Sequence, residues 1–137
     1  MHNSCQRDGL ALKYIDEQTD ELCMLAVKQN GYALEYVKNQ TEALCEFAVQ
    51  QNGLALQYVI NQTEEIYKLA VQQNGFALIF IKDQSIEICT LAVQQNGMAL
   101  QYVNKQTDEI CMLAIKKNSH ALRYVINQKK YVNHDSI

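Results

Sequence analysis

"LAVQQNG" occupies residues 69–75 and returns unchanged at 91–97, with near-copies at 25–31 (LAVKQNG), 47–53 (FAVQQNG) and 113–119 (LAIKKNS), always 22 residues apart. Self-similarity at a fixed period of roughly 20–50 residues marks a solenoid or array. Extended outward, the unit reads Q-T-x-E-[IL]-C-x-L-A-V-Q-Q-N-G-x-A-L-Q-Y-V-x-N, and complete copies start at Gln18, Gln40, Gln62, Gln84 and Gln106. A single repeat domain over 1–137 therefore divides into an N-terminal half repeat (8–17, from DGLALKYI), five 22-residue repeats (18–127) and a degenerate C-terminal half repeat (128–137).

Each copy reads as two short helices. Thr41 and Thr63 stand where an N-cap is wanted, because a hydroxyl there satisfies an orphan backbone N–H. Glu42, Glu64 and Glu65 follow in the first turn, where negative charge suits the helix dipole. Apolar residues then recur at helical spacing (Ile66, Leu69, Ala70) until Asn74-Gly75. Gly31, Gly53, Gly75 and Gly97 are read as structural C-caps, since glycine accepts the left-handed conformation that ends many helices. The second helix is shorter, with Ala77, Leu78, Phe80 and Ile81 apolar, and no proline interrupts either one. Helices this short are marginal alone and gain stability by stacking. Alanines at 26, 48, 70, 92 and 114, and at 33, 55, 77, 99 and 121, permit close approach. The expected fold is an all-α solenoid of helix-turn-helix repeats. The alternative is leucine-rich-repeat-like: Ile66 to Phe76 fits that family's L-x-x-L-x-L-x-x-N-x-L frame. The central alanine of "LAV" is a poor strand residue and counts against it.

The rest of the composition bounds the function. A net charge of −3 disfavours nucleic acid, which usually wants a basic face. No apolar run approaches the roughly 18 residues of a membrane span, and "MHNSCQRDG" lacks a signal-peptide core. The cysteines number five, an odd count with no CxxC pair, which argues against a disulfide framework or zinc site. A reducing intracellular compartment is the expectation.

The core A-V-x-x-N-G-x-A-L-x-Y, with an acidic residue five or so places before it, resembles a family of short helical repeats catalogued as a domain of unknown function. The resemblance covers residues 8–127 in register. That family's unit typically begins with an acidic-basic-Glu triplet, which Thr or Ser partly replaces here (QTEE, QSIE). Its members are common in giant viruses of amoebae and in amoeba-associated bacteria. The resemblance thus implies an α-helical solenoid and an intracellular setting, in host cytoplasm or virion. It implies no activity.

Nothing in the pattern assembles an active site. Cys23, Cys45, Cys89 and Cys111 share one column, with Tyr67 in the third copy. Stacked helices lie about 8–10 Å apart, beyond the roughly 7 Å reach of a disulfide, so reduced thiols packed as small apolar groups are expected. Cys5 is out of register. Tyr14, Tyr36, Tyr58, Tyr102 and Tyr124 form a second column, with Phe80 in the fourth place. Such a column could stack nucleobases, but ring packing between repeats is preferred. His2, His120 and His134 are scattered, and Glu21, Glu42, Glu65, Glu87 and Glu109 occur one per copy. Neither set forms a catalytic group, so no catalytic, cofactor or metal residue is assigned and no enzyme is expected.

Positions that vary within a constant frame are the informative ones: Tyr32, Leu54, Phe76, Met98 and His120 after the Asn-Gly or Asn-Ser, and Lys38, Ile60, Lys82, Asn104 and Ile126 before the C-terminal end of the second helix. Ile60, Ile79, Ile86 and Ile126 put apolar side chains where stacking alone asks for polar ones, and form a candidate partner surface. The functional expectation is a non-enzymatic protein-interaction module or scaffold, as a viral accessory protein in the setting the resemblance implies, with self-association through the solenoid ends. A nucleic-acid-binding helical repeat is the alternative.

Overall fold

The computed structural model describes residues 9–128. Cys5, His2, His134 and all but the first residue of the C-terminal half repeat lie outside them. Among the described residues, five α-helices alternate with six 3₁₀-helices: η1 (Gly9–Tyr14), α1 (Asp20–Gln29), η2 (Gly31–Tyr36), α2 (Glu42–Gln51), η3 (Gly53–Tyr58), α3 (Glu64–Gln73), η4 (Gly75–Phe80), α4 (Ile86–Gln95), η5 (Gly97–Tyr102), α5 (Asp108–Lys117) and η6 (Ser119–Tyr124). Each α-helix packs on the next α-helix and each 3₁₀-helix on the next 3₁₀-helix. The result is a two-layer helical solenoid. No strand occurs among the described residues, which overturns the leucine-rich alternative. The central alanines of these phrases, Ala48, Ala70 and Ala92, stand in α-helices and are fully buried.

The second helix of each unit is 3₁₀, a detail that the apolar pattern carried unread. Gly53, Leu56 and Val59 are buried at a spacing of three, the period of a 3₁₀-helix. A ten-residue α-helix is about 15 Å long, and six residues of 3₁₀-helix extend about 12 Å. Six α-helical residues would cover only about 9 Å. The tighter, longer coil therefore lets the short second half of each unit run nearly the full length of the first.

Capping follows the sequence reading at the N-termini. Thr19, Thr41, Thr63, Ser85 and Thr107 accept from the backbone N–H three residues on, at 3.1–3.3 Å. At the C-termini the reading needs correction. Among the described residues no glycine has positive φ, so Gly31, Gly53, Gly75 and Gly97 are not left-handed C-caps. The asparagine before each one does the work. Asn74 is extended (φ −151°, ψ 110°). Its N–H donates to Ala70 O at 2.9 Å, closing the α-helix. Its Oδ1 then accepts from Phe76 N–H and its C=O from Ala77 N–H, opening the 3₁₀-helix. One residue ends one helix and starts the other.

The glycine serves the next unit instead. A Cβ on Gly97 would lie 2.5 Å from Ala114 O, and on Gly53 or Gly75 closer still to Ala70 O or Ala92 O. Glycine stands there because the C-terminal turn of the following α-helix packs against its backbone. At two junctions the contact carries a hydrogen bond: Gly53 and Gly75 N–H donate to Gln73 and Gln95 Oε1 at 2.6 Å.

Cys23, Cys45, Cys89 and Cys111 are buried free thiols. Burial pushes the Cys45 thiol up, with Glu42 and Glu46 adding to it, and burial alone raises Cys89. Slow reaction of both with thiol reagents in the native state is therefore expected, and fast labelling without unfolding would refute the packing. The raised thiols also set a sign. Their contribution to stability is complete below the ordinary thiol range and is lost as pH rises through the elevated folded values.

Candidate functional site

Two edges of the solenoid differ in construction. On one, each Asn-Gly turn is locked under the next helix. On the other, the loop from each 3₁₀-helix to the next α-helix is tied by the glutamine that opens each copy, a residue to which sequence reasoning gave no role. Gln18, Gln40, Gln84 and Gln106 donate Nε2–H to the carbonyls of Tyr36, Tyr58, Tyr102 and Tyr124 at 2.7–2.8 Å. Their Oε1 atoms accept the N–H of Lys38, Ile60, Asn104 and Ile126 at 2.9 Å. The buried cysteines donate to the same Oε1 atoms at 3.4–3.8 Å. Each glutamine thus ties its own loop to the loop after the next 3₁₀-helix with one side-chain amide. The signal was its constancy at the head of every copy.

The third copy departs from this pattern. Tyr67 stands in the cysteine column, and its hydroxyl donates to Gln62 Oε1 at 3.0 Å. Gln62 Nε2 turns back to Leu56 O and Val59 O at 3.2 and 3.3 Å. Gln62 is exposed, whereas the other four glutamines are half-buried. Burial raises the Tyr67 hydroxyl, with Asp83 and Glu64 contributing, which keeps it a donor. The helices stay joined here through Ser85 Oγ–H to Glu64 Oε1 at 2.8 Å and the Lys68–Glu87 ion pair at 3.2 Å.

All four isoleucines singled out in the sequence are exposed: Ile60 70%, Ile79 54%, Ile86 69% and Ile126 78%. They do not form one column. Ile79 and Ile86 line two adjoining grooves, of 300 and 510 Å³, that share Lys82, Gln84 and Asn104. Ile60 lies one unit before Lys82 in the same repeat column, while Ile126 lies two units beyond it. Ile79 and Ile86 therefore lie in the third and fourth copies, beside the altered glutamine tie, while Ile60 in the second copy and Ile126 in the fifth are not among the residues lining these grooves.

The variable residues after each glycine belong to packing. Tyr32, Leu54, Phe76 and Met98 are half-buried against the core. The Tyr32 ring meets Tyr58 edge-on at 6.0 Å, and Phe76 meets Tyr102 at 5.9 Å. Tyr58 and Tyr102 are thus engaged by the preceding unit, and Tyr36, Phe80 and Tyr124 are half-buried against the core. Tyr14 is exposed, with no earlier unit among the described residues to pack on. His120 is exposed on η6. No helix among the described residues is long and apolar enough to cross a membrane.

The repeat architecture agrees with a comparison of families. The profile described as "Domain of unknown function (DUF4116)" matches residues 1–40, 63–107 and 85–128, more than half of the chain. The chain belongs to this family. Its overlapping matches follow the repeat, so DUF4116 here is an array of the α-plus-3₁₀ unit. Searches of curated proteins and of solved structures gave no match.

Proposed function

We propose that this DUF4116 chain is a non-enzymatic protein-interaction module, binding a protein partner along the edge formed by the 3₁₀-to-α loops. The observation that carries this reading is the pair Ile79 and Ile86, both exposed and lining adjoining grooves beside the one altered glutamine tie. Apolar side chains clustered within a polar rim mark interaction sites more than scattered ones do. A reducing intracellular setting is part of the proposal, supported by four free buried thiols. A viral accessory role follows the family resemblance alone.

A photo-cross-linking amino acid placed at residue 79 tests the reading, with residue 72 on the exposed face of α3 as control. The expected result in native-cell extract is a discrete protein adduct at 79 that is absent at 72. Equal adducts at both positions, or adducts to nucleic acid, would overturn it.

A further inference from the structure

The altered tie leaves two backbone groups open. In the third unit the groups equivalent to those bridged elsewhere are Phe80 O and Lys82 N–H. Neither has a hydrogen-bond partner among the described residues. Ile81 between them is fully engaged: its N–H donates to Leu78 O at 3.0 Å and its C=O accepts from Gln84 Nε2 at 3.1 Å. Its backbone has also moved. The counterpart valines Val37, Val59, Val103 and Val125 have φ of −81°, −76°, −78° and −74°. Ile81 has φ −110° and ψ 114°, close to the parallel-strand values of about −120° and +115°.

In a parallel β-bridge, one residue donates its N–H to the carbonyl before the facing residue and accepts the N–H after it. The four intact glutamine amides make that same pair of bonds from within the chain. The vacant place therefore calls for an amide donor and acceptor presented together, and its backbone already has strand geometry.

We propose that Ile81 is the docking point for an extended, apolar peptide segment of a protein partner, one residue of which supplies the bridge that Gln62 does not make. Its N–H donates to Phe80 O and its C=O accepts Lys82 N–H, while its apolar neighbours cover Ile79 and Ile86. Strand addition of this kind gives affinity through the main chain and selectivity through flanking side chains. Tyr67 is the residue that holds the place open, because its hydroxyl retains Gln62. The proposal rests on the interaction-module reading and names its contact.

The test uses amide exchange and linear heptapeptides selected by phage display on the folded protein. In the free chain, Lys82 N–H is expected to exchange about tenfold or more faster than the N–H groups of Ile60 and Asn104, which lack no partner. Selected peptides should shift and protect Lys82. Tyr67→Cys restores the residue found at this position in the other four copies, so the fold has every local reason to persist. It should slow Lys82 exchange without peptide and weaken peptide binding by about tenfold. The proposal is overturned if Lys82 exchanges as slowly as Asn104 in the free native chain, if no selected peptide shifts it, or if Tyr67→Cys binds peptide equally well. Protection of Lys82 that rises with protein concentration alone would assign the place to a second copy and overturn it too. A residue-79 cross-link to protein that is unchanged by Tyr67→Cys would leave the module reading standing while this contact falls. Loss of both the cross-link and the peptides would remove both.

Discussion

Gly75→Ala is expected to destabilise the protein by about 1–3 kcal/mol, the range for overpacking a well-filled interior. The cause is a collision between units. The added methyl would meet Ala92 O, a backbone atom of α4, and Gln95 Oε1 at 3.1 Å. The side-chain oxygen can turn away at the loss of its bond to Gly75 N–H, but the carbonyl belongs to a hydrogen-bonded helix end and moves only with its helix. Gly31→Ala should cost less, since its nearest contact, Ala48 O, is 3.1 Å away and a shift of a few tenths of an ångström relieves it. Ser119 occupies the glycine column with an exposed side chain. Ser119→Gly should therefore be neutral or destabilise by up to about 1 kcal/mol, the entropic penalty of glycine in a helix. Urea denaturation of the three variants checks the order. A neutral Gly75→Ala, or a Gly31→Ala that costs more, would show that the glycine does not report the approach of neighbouring units.

Leu78→Ala is expected to have the largest effect, about 2–5 kcal/mol, as for other large-to-small changes at fully buried sites. Leu78 has no exposed surface and belongs to the buried ridge of η4, which lies between η3 and η5. Stability in a solenoid is a sum of units and nearest-neighbour interfaces, so a cavity in a central unit weakens the junctions on both sides. Ile79→Ala, one residue along, should stay within about 0.5 kcal/mol because that side chain faces solvent. The pair separates the packing role of η4 from its proposed binding role. Comparable thermal losses from both substitutions would contradict the placement of Ile79 on the outer face.

Much of the candidate site could be seen early, but for an incomplete reason. Ile60, Ile79 and Ile86 stood out because each breaks a polar column, and all are exposed. Tyr67 stood out as the one departure from cysteine, yet its consequence was hidden. A one-dimensional pattern shows that a residue differs, and only the geometry shows that its hydroxyl captures a glutamine 5 residues earlier in sequence. The post-glycine residues gave the opposite result. They vary as a binding surface would, but Tyr32 and Phe76 vary because each meets a ring 26 positions later in the next unit.

The sequence by itself determined the period, the two-helix unit, the N-capping hydroxyls and the buried cysteine column. All of these depend on residues within one unit, whose chemistry is local: a threonine before an acidic turn, or apolar side chains at helical spacing. Tertiary structure alone decided the roles of glycine, asparagine and glutamine. Asn-Gly is compatible with a left-handed helix end, and nothing local distinguishes that from an extended asparagine followed by a glycine pressed against a neighbour. The choice is made by the next helix, whose carbonyl at Ala70, Ala92 or Ala114 occupies the space a side chain would need. The glutamine ties are likewise contacts across 18 and 20 residues. Such contacts form only once the stack has set successive loops side by side, because their energy comes from backbone groups that the stacking brings together.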